Sequence, residues 1–390
     1  MRVCHTVVQA NASYWPSIGK LVSLWGIRKQ ASTNLAEAER AGAGTEASLS
    51  APSLVAPHTK LPILDGWRAT SILLVLGAHL LPLGPSVLKL NHTAGAMGMA
   101  LFFALSGFLI TRFLAKGMEV STFLLRRCAR IVPLAWMVMF SLFMWNGAEF
   151  DQVLANFLFY ANLPPAKLFH GGEHLWSICV EMQFYVLAAA LCIIPNRKGL
   201  YLLPVICVIV TMLRVSEGAY ISIYTWQRVD EILAGATIAL IYIGWGGDRS
   251  KQLLGSIPFW PSLIVLVATS HPMTGALQYL RPYAAAALVA GTLMTSPPKL
   301  VDRALKGRLF AYIAEISYAL YMIHGVLMAT WLAQGDTVVR YIKKPFLFLL
   351  TFGLAHVSTR YFERPILRAI RKVRTASKGE STALPEKAAH

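Results

Sequence analysis

The sequence predicts an all-α, polytopic transmembrane bundle of about ten spans with both termini in the cytoplasm. Three observations carry this. First, 56% of the 390 residues are hydrophobic and only 14% are charged, against about 25% charged in an ordinary soluble domain. Second, apolar runs such as 131–145 and 284–294 are continuous. A membrane barrel would alternate apolar and polar residues instead, and only helices and closed barrels satisfy their backbone groups in lipid. Third, the basic residues are distributed unevenly between alternate loops. The net charge of +17 therefore belongs to cytoplasmic loops and tails, and nucleic acid is not an expected partner.

Residues 1–60 stand apart. The stretch 29–57 is rich in Ala, Ser, Glu and Gly and reads as a disordered cytoplasmic extension. Ahead of it, Tyr14, Trp15, Ile18, Leu21, Val22 and Trp25 could form one short interfacial helix. No signal peptide is expected, because no apolar stretch follows the start. The membrane domain is expected over 61–366, and 367–390 as a basic cytoplasmic tail. Spans fall near 67–87, 94–114, 131–147, 176–195, 200–215, 231–245, 257–270, 276–296, 310–333 and 344–362, against an ideal length of about 20 residues. Residues 151–163 are too short and amphipathic to cross and read as a re-entrant or interfacial piece outside. Loops after even-numbered spans hold thirteen Lys and Arg, and those after odd-numbered spans hold six. That asymmetry orients the chain. The five cysteines lack paired spacing, so neither a disulfide framework nor a metal site is expected.

Ionisable residues within spans are costly and mark functional positions. They are Arg68, His79, Glu181, Glu315, His324 and His356, with Arg214 and Arg281 near outer ends, where they could snorkel. Arg68 and His79 are eleven residues apart, roughly 16 Å along a helix axis. Arg68 then falls near the cytoplasmic face and His79 near the midplane. Glu315 matches no motif.

At these residues the sequence resembles the integral-membrane acyltransferase-3 family, O-acyltransferases of polysaccharides and lipids. LPILDGWRATSILLVLGAH (61–79) is similar to its opening R-x10-H motif. LFFALSGFLITR (101–112) resembles its second span, and FLLRRCARIVPL (123–134) its R-x-x-R loop. HLWSICVEMQFY (174–185) resembles its W-S-x-x-x-E motif. RVDEILAGA (228–236) resembles its later Arg and Gly motif, and ISYALYMIH (316–324) and YFERP (361–365) its closing signatures. The motifs occur in order from about 61 to 366.

The resemblance implies transfer of an acyl group, commonly acetyl from acetyl-CoA, onto a hydroxyl of an extracytoplasmic carbohydrate or lipid-linked acceptor. It places the protein as a multi-pass component of the inner (plasma) membrane, surrounded by lipids. His79 is the expected general base, since imidazole titrates nearest neutral pH, with an acyl-histidine relay across the membrane as the alternative. Glu181 and Arg68 are its expected catalytic companions, with Glu181 orienting an imidazolium or the acceptor hydroxyl. Arg68 could instead pair with Asp65. Arg127 and Arg130, one turn apart in the cytoplasmic loop, are expected to grip the phosphates of acyl-CoA. Trp176, Ser177, Tyr321 and His324 are expected to line the cavity, with His174 meeting the acceptor from outside. Gly107, Gly235 and Gly325 suit close helix contact. No metal is expected. A proton-coupled transporter or flippase for a polysaccharide or lipid precursor is the alternative reading, but it lacks the internal repeat such proteins often show. With about 25 residues after YFERP, no appended esterase-like domain is expected.

Overall fold

The computed structural model describes residues 61–370. The expected extension 1–60, its interfacial helix and the tail from 371 onward lie outside the described residues. Among those described there is no β-strand.

The first helix, α1, runs Pro62–Leu80, with Pro62 in the first turn and Asp65 near the electropositive N-terminus. It ends earlier than the span expected over 67–87. Leu81 precedes Pro82 and is extended (φ −117°, ψ 147°), the conformation that a following proline favours. His79 consequently lies in the last turn of its helix and not at mid-helix. Helix α2, Leu90–Ala115, returns against α1. Near its start the Asn91 side chain donates to the carbonyls of Ala78 (2.7 Å) and Leu81 (2.6 Å), tying down the end of α1 beside His79.

Helix α3, Val120–Asn146, starts well before the expected 131. Arg127 and Arg130 are therefore helical residues within its first half and do not belong to a loop. A short α4, Phe150–Phe157, occupies the segment judged too short to cross. Then come α5 (Trp176–Leu191), α6 (Leu203–Ser216) and α7 (Asp230–Tyr242). Next are α8 (Gly247–Gly255), α9 (Phe259–Ser270), α10 (Arg281–Met294) and α11 (Lys299–Leu305). The last two are α12 (Arg308–Ala329) and α13 (Thr337–Val357). Every expected span overlaps one of these helices. Among the described residues, 5 helices are long and apolar enough to cross a membrane, or up to 6 if the bent pair α8–α9 counts as one.

Packing is closest where α2 crosses α7. A Cβ on Gly107 would lie 1.8 Å from the Ile232 carbonyl oxygen, and one on Gly235 would lie 1.9 Å from that of Ala104. The two glycines let the backbones touch, so any side chain there must push the helices apart. One apolar core gathers α1, α2, α3, α5 and α12, and a second gathers α1, α2, α7, α9 and α10. Both pass through α1 and α2, which carry the R-x10-H residues and their immediate neighbours.

Arg214 and Arg281 do not snorkel. Both are fully buried, Arg214 paired with Asp230 and Arg281 Nε 2.9 Å from Glu231 Oε1. Glu315, which matched no motif, accepts from Arg364 Nε at 2.8 Å. His356 Nδ1 lies 3.0 Å from the Tyr312 hydroxyl.

Candidate functional site

Two chambers lie end to end between α1, α2, α5 and α12. The first, about 60 Å³, is lined by Arg68, Arg127, Arg130, Ser106, Glu181 and Tyr185, among others. Helix α1 supplies Arg68, whose Nη1 is 3.5 Å from Asp65 Oδ1 one turn back. Helix α3 supplies Arg127 and Arg130 from the same face, since residues three apart are neighbours on a helix. The Arg127 guanidinium carbon lies 5.9 Å from the Tyr185 ring centroid, which holds the charge against an aromatic face. Three guanidinium groups face one lining carboxylate, Glu181, so the chamber suits an anion.

Glu181 is buried and accepts hydrogen bonds from the Ser106 hydroxyl and, at 2.7 Å, from the Tyr185 hydroxyl. Its two hydroxyl donors come from α2 and its own helix, α5. Glu181 faces the arginine chamber and does not line the one that holds His79.

The second chamber, about 800 Å³, is lined by His79, His92, His174, Trp176, Arg228 and His324, among others. Its chemistry follows from one chain of hydrogen bonds. His324 is completely buried, and its Nδ1 lies 2.7 Å from the Tyr321 carbonyl oxygen. A carbonyl can only accept, so this nitrogen carries the proton. In the neutral ring, Nε2 of His324 is then bare. It lies 3.1 Å from His79 Nδ1, with the two rings nearly parallel at 9°. His79 Nδ1 must therefore be the donor, which leaves the lone pair of His79 on Nε2. His79 is exposed to the chamber. A backbone carbonyl on α12 thus sets the tautomer of a histidine on α1 and leaves that histidine ready to accept a proton.

His174 completes the group, with its ring edge-on to His324 at 5.2 Å and its Nε2 3.3 Å from the Met322 carbonyl. A Cβ on Gly325 would lie 2.1 Å from the His174 ring, so the glycine makes room for this imidazole.

Val75, Met99 and Tyr321 line both chambers and form the wall between them. Tyr321 is held rigidly. Its hydroxyl donates to the His174 carbonyl at 2.6 Å and accepts from the Ser177 hydroxyl at 2.7 Å. Phe102 stacks on its ring at 6.1 Å and 5°. Ser177 lines neither chamber and acts by fixing Tyr321. Trp176 lines the histidine chamber beneath the Arg228 guanidinium, 5.3 Å from its ring centroid.

The structure thus gathers Arg68, Arg127, Arg130 and Glu181 at one end and His79, Trp176 and His324 at the other, with Tyr321 between them. Sequence reasoning left Ser106, Tyr185 and Arg228 without roles. Arg228 opens the RVDEILAGA motif, and that was the available signal. The two hydroxyls had none, since a lone Ser or Tyr in an apolar helix is unremarkable until its partner is known.

Residues 61–358 match the family described as an acyltransferase domain. Among curated proteins, YrhL of Bacillus subtilis is 26% identical over 79% of this chain and 55% of its own. The peptidoglycan O-acetyltransferase OatA of Listeria monocytogenes is 22% identical over 78% of this chain and 56% of its own. The O-acetyltransferase OatA of Staphylococcus aureus is 24% identical over 78% and 57%. The chain spans about half the length of these relatives. No solved structure matches it.

Proposed function

Because the chain belongs to the acyltransferase domain family, we propose that it moves an acyl group, acetyl in the simplest case, from acyl-CoA to a hydroxyl. The acceptor is a carbohydrate or a lipid-linked carbohydrate held in the histidine chamber. All three relatives carry O-acetyltransferase names, two of them for peptidoglycan, and a hydroxyl acceptor accords with these names. The observation that carries the reading is the Tyr321 carbonyl–His324–His79 chain opening onto a chamber that abuts a cluster of three arginines.

In this mechanism His79 Nε2 takes the acceptor hydroxyl proton as the oxygen bonds to the thioester carbonyl carbon. The C–S bond then breaks, and the departing CoA thiolate takes that proton back from His79. His324 keeps His79 in the productive tautomer and shares the positive charge while His79 is protonated. Arg68, Arg127 and Arg130 hold the phosphates of the donor, whose thioester reaches His79 past Val75, Met99 and Tyr321. Glu181 sits in the donor chamber, so its role is to order that chamber through Ser106 and Tyr185, apart from any contact with His79.

Labelled acetyl-CoA supplied to membranes containing the protein should pass its label to a carbohydrate fraction. The Arg127→Gln, Arg130→Gln double variant should weaken the donor's apparent affinity at unchanged expression. Two lost charge-assisted contacts correspond to roughly 3 kcal/mol or less, about a hundredfold. Unchanged donor affinity would remove these arginines from the donor site.

The arginine chamber is assigned to the cytoplasmic side of the plasma membrane, the histidine chamber to the outer side, and the chain to about ten spans with both termini inside. A reporter active only outside the cytoplasm should be silent when fused after Lys378 or inserted near Lys251. It should be active when inserted near Lys167. Activity of the C-terminal fusion would reverse the assignment.

A further inference from the structure

The RVDEILAGA segment builds a buried ionic cluster that the acyl-transfer mechanism leaves unused. Arg214, Arg228, Asp230, Glu231 and Arg281 are each at most 3% exposed. Arg214 pairs with Asp230, and Arg281 pairs with Glu231 Oε1 at 2.9 Å. Both of these arginines also donate to the Tyr220 carbonyl, at 3.0 and 3.2 Å. Arg228 receives what remains, with its Nη2 3.4 Å from Glu231 Oε2, on a carboxylate already engaged by Arg281. Its Nε and Nη1 have no hydrogen-bond partner among the described residues; Arg214 Nε, Arg281 Nη1, Asp230 Oδ1 and Glu231 Oε2 have none either, so Arg228 alone is short of two.

Three guanidinium groups thus face two carboxylates, and the excess positive charge falls on Arg228. An ion buried without its countercharge is strongly unfavourable. Arg228 is also the one member of this cluster that lines the histidine chamber. Among the chamber's described lining residues the only carboxylate is Glu173, which is already engaged. It lies 3.3 Å from His170 Nδ1 and accepts from the Gly171 amide at 3.1 Å. A chamber of about 800 Å³ is within the usual range for small-molecule sites. Its wall carries Arg228, seated on the Trp176 ring and sharing its one close carboxylate with Arg281.

We infer that the histidine chamber selects a hydroxyl acceptor bearing an anionic group, a carboxylate or a phosphate, which settles against Arg228 and supplies the third negative charge that the cluster's three arginines lack. This inference rests on the acyl-transfer reading for the identity of the bound molecule as acceptor. The binding it requires does not depend on any donor.

The test is therefore made without acyl-CoA. Thermal unfolding of the detergent-purified full chain is followed with methyl β-D-glucuronide, glucose 1-phosphate or the neutral methyl β-D-glucoside. The anionic sugars should raise the unfolding midpoint at concentrations at least tenfold below those the glucoside needs. Arg228→Gln should abolish that preference. Arg228→Lys keeps the charge but offers fewer donors, and should weaken the anionic sugars several-fold while preserving their order over the glucoside. A response to the glucuronide alone assigns carboxylate-bearing acceptors, and a response to the phosphate alone assigns phosphorylated or lipid-phosphate-linked ones. Equal shifts with all three sugars, or a preference that survives Arg228→Gln, would overturn the inference. If Arg228→Gln does not fold, unchanged anionic affinity in Arg228→Lys is the overturning result. Loss of label transfer from acetyl-CoA in the unaltered protein would instead count against the acyl-transfer reading, so the two failures are separable.

Discussion

Replacing His79 with Ala should abolish acyl transfer, and His79→Gln should do so almost as completely. Gln preserves bulk and can place a polar atom near the position of Nε2, but it cannot take up and release a proton near neutral pH. If His79 served only to pack the end of α1 against α12, Gln would keep most of the activity, since it could still hydrogen-bond His324. With Nε2 as the base, both variants should lose on the order of 10²–10⁴ in rate. Asn91 continues to tie the carbonyls of Ala78 and Leu81, so the end of the helix has a support independent of the imidazole. Label transfer from acetyl-CoA at matched expression is the measurement. A fully active His79→Gln protein would remove the general-base assignment and leave the family membership intact.

His324→Phe should cost on the order of 10² in turnover while leaving the donor's apparent affinity within about twofold, because His324 lies outside the arginine chamber. Phenylalanine fills the same buried space but offers no acceptor to His79 Nδ1. The His79 proton can then reside on Nε2, the nitrogen that must be bare to act as a base, and a base held in the wrong tautomer is largely lost. His324→Gln can present its amide oxygen near the former Nε2, so it should recover part of the loss. That order, with Gln above Phe, distinguishes control of the tautomer from simple packing. Equal activity of the two variants, or a donor-affinity defect as large as the turnover defect, would overturn it.

The helices themselves were largely legible in the amino-acid sequence, because apolar length in lipid demands internal backbone hydrogen bonding. Each expected span overlaps a helix, and the boundary errors have local causes. Pro82 ends α1 seven residues before the expected limit, and α3 extends back to Val120 because Arg126, Arg127 and Arg130 are good helix formers despite their charge. The snorkelling expected of Arg214 and Arg281 failed because Asp230 and Glu231, adjacent in the chain, were available as buried partners on the neighbouring helix.

Residue type and spacing alone determined that this chain is a helical membrane protein with an arginine-bearing end and a histidine-bearing end. Those properties depend on composition and on order along the chain. Tertiary structure decided which of those residues meet. Glu181 and His79 come from different helices, and only packing shows that one faces the arginines and the other the histidines. His79 and His324 are 245 positions apart, and the tautomer of the first depends on a carbonyl beside the second. The charge excess on Arg228 likewise emerges only when α6, α7 and α10 are brought together. Hydrogen bonds and ion pairs act over about 3–4 Å, whereas linear order constrains such distances only between near neighbours on one helix.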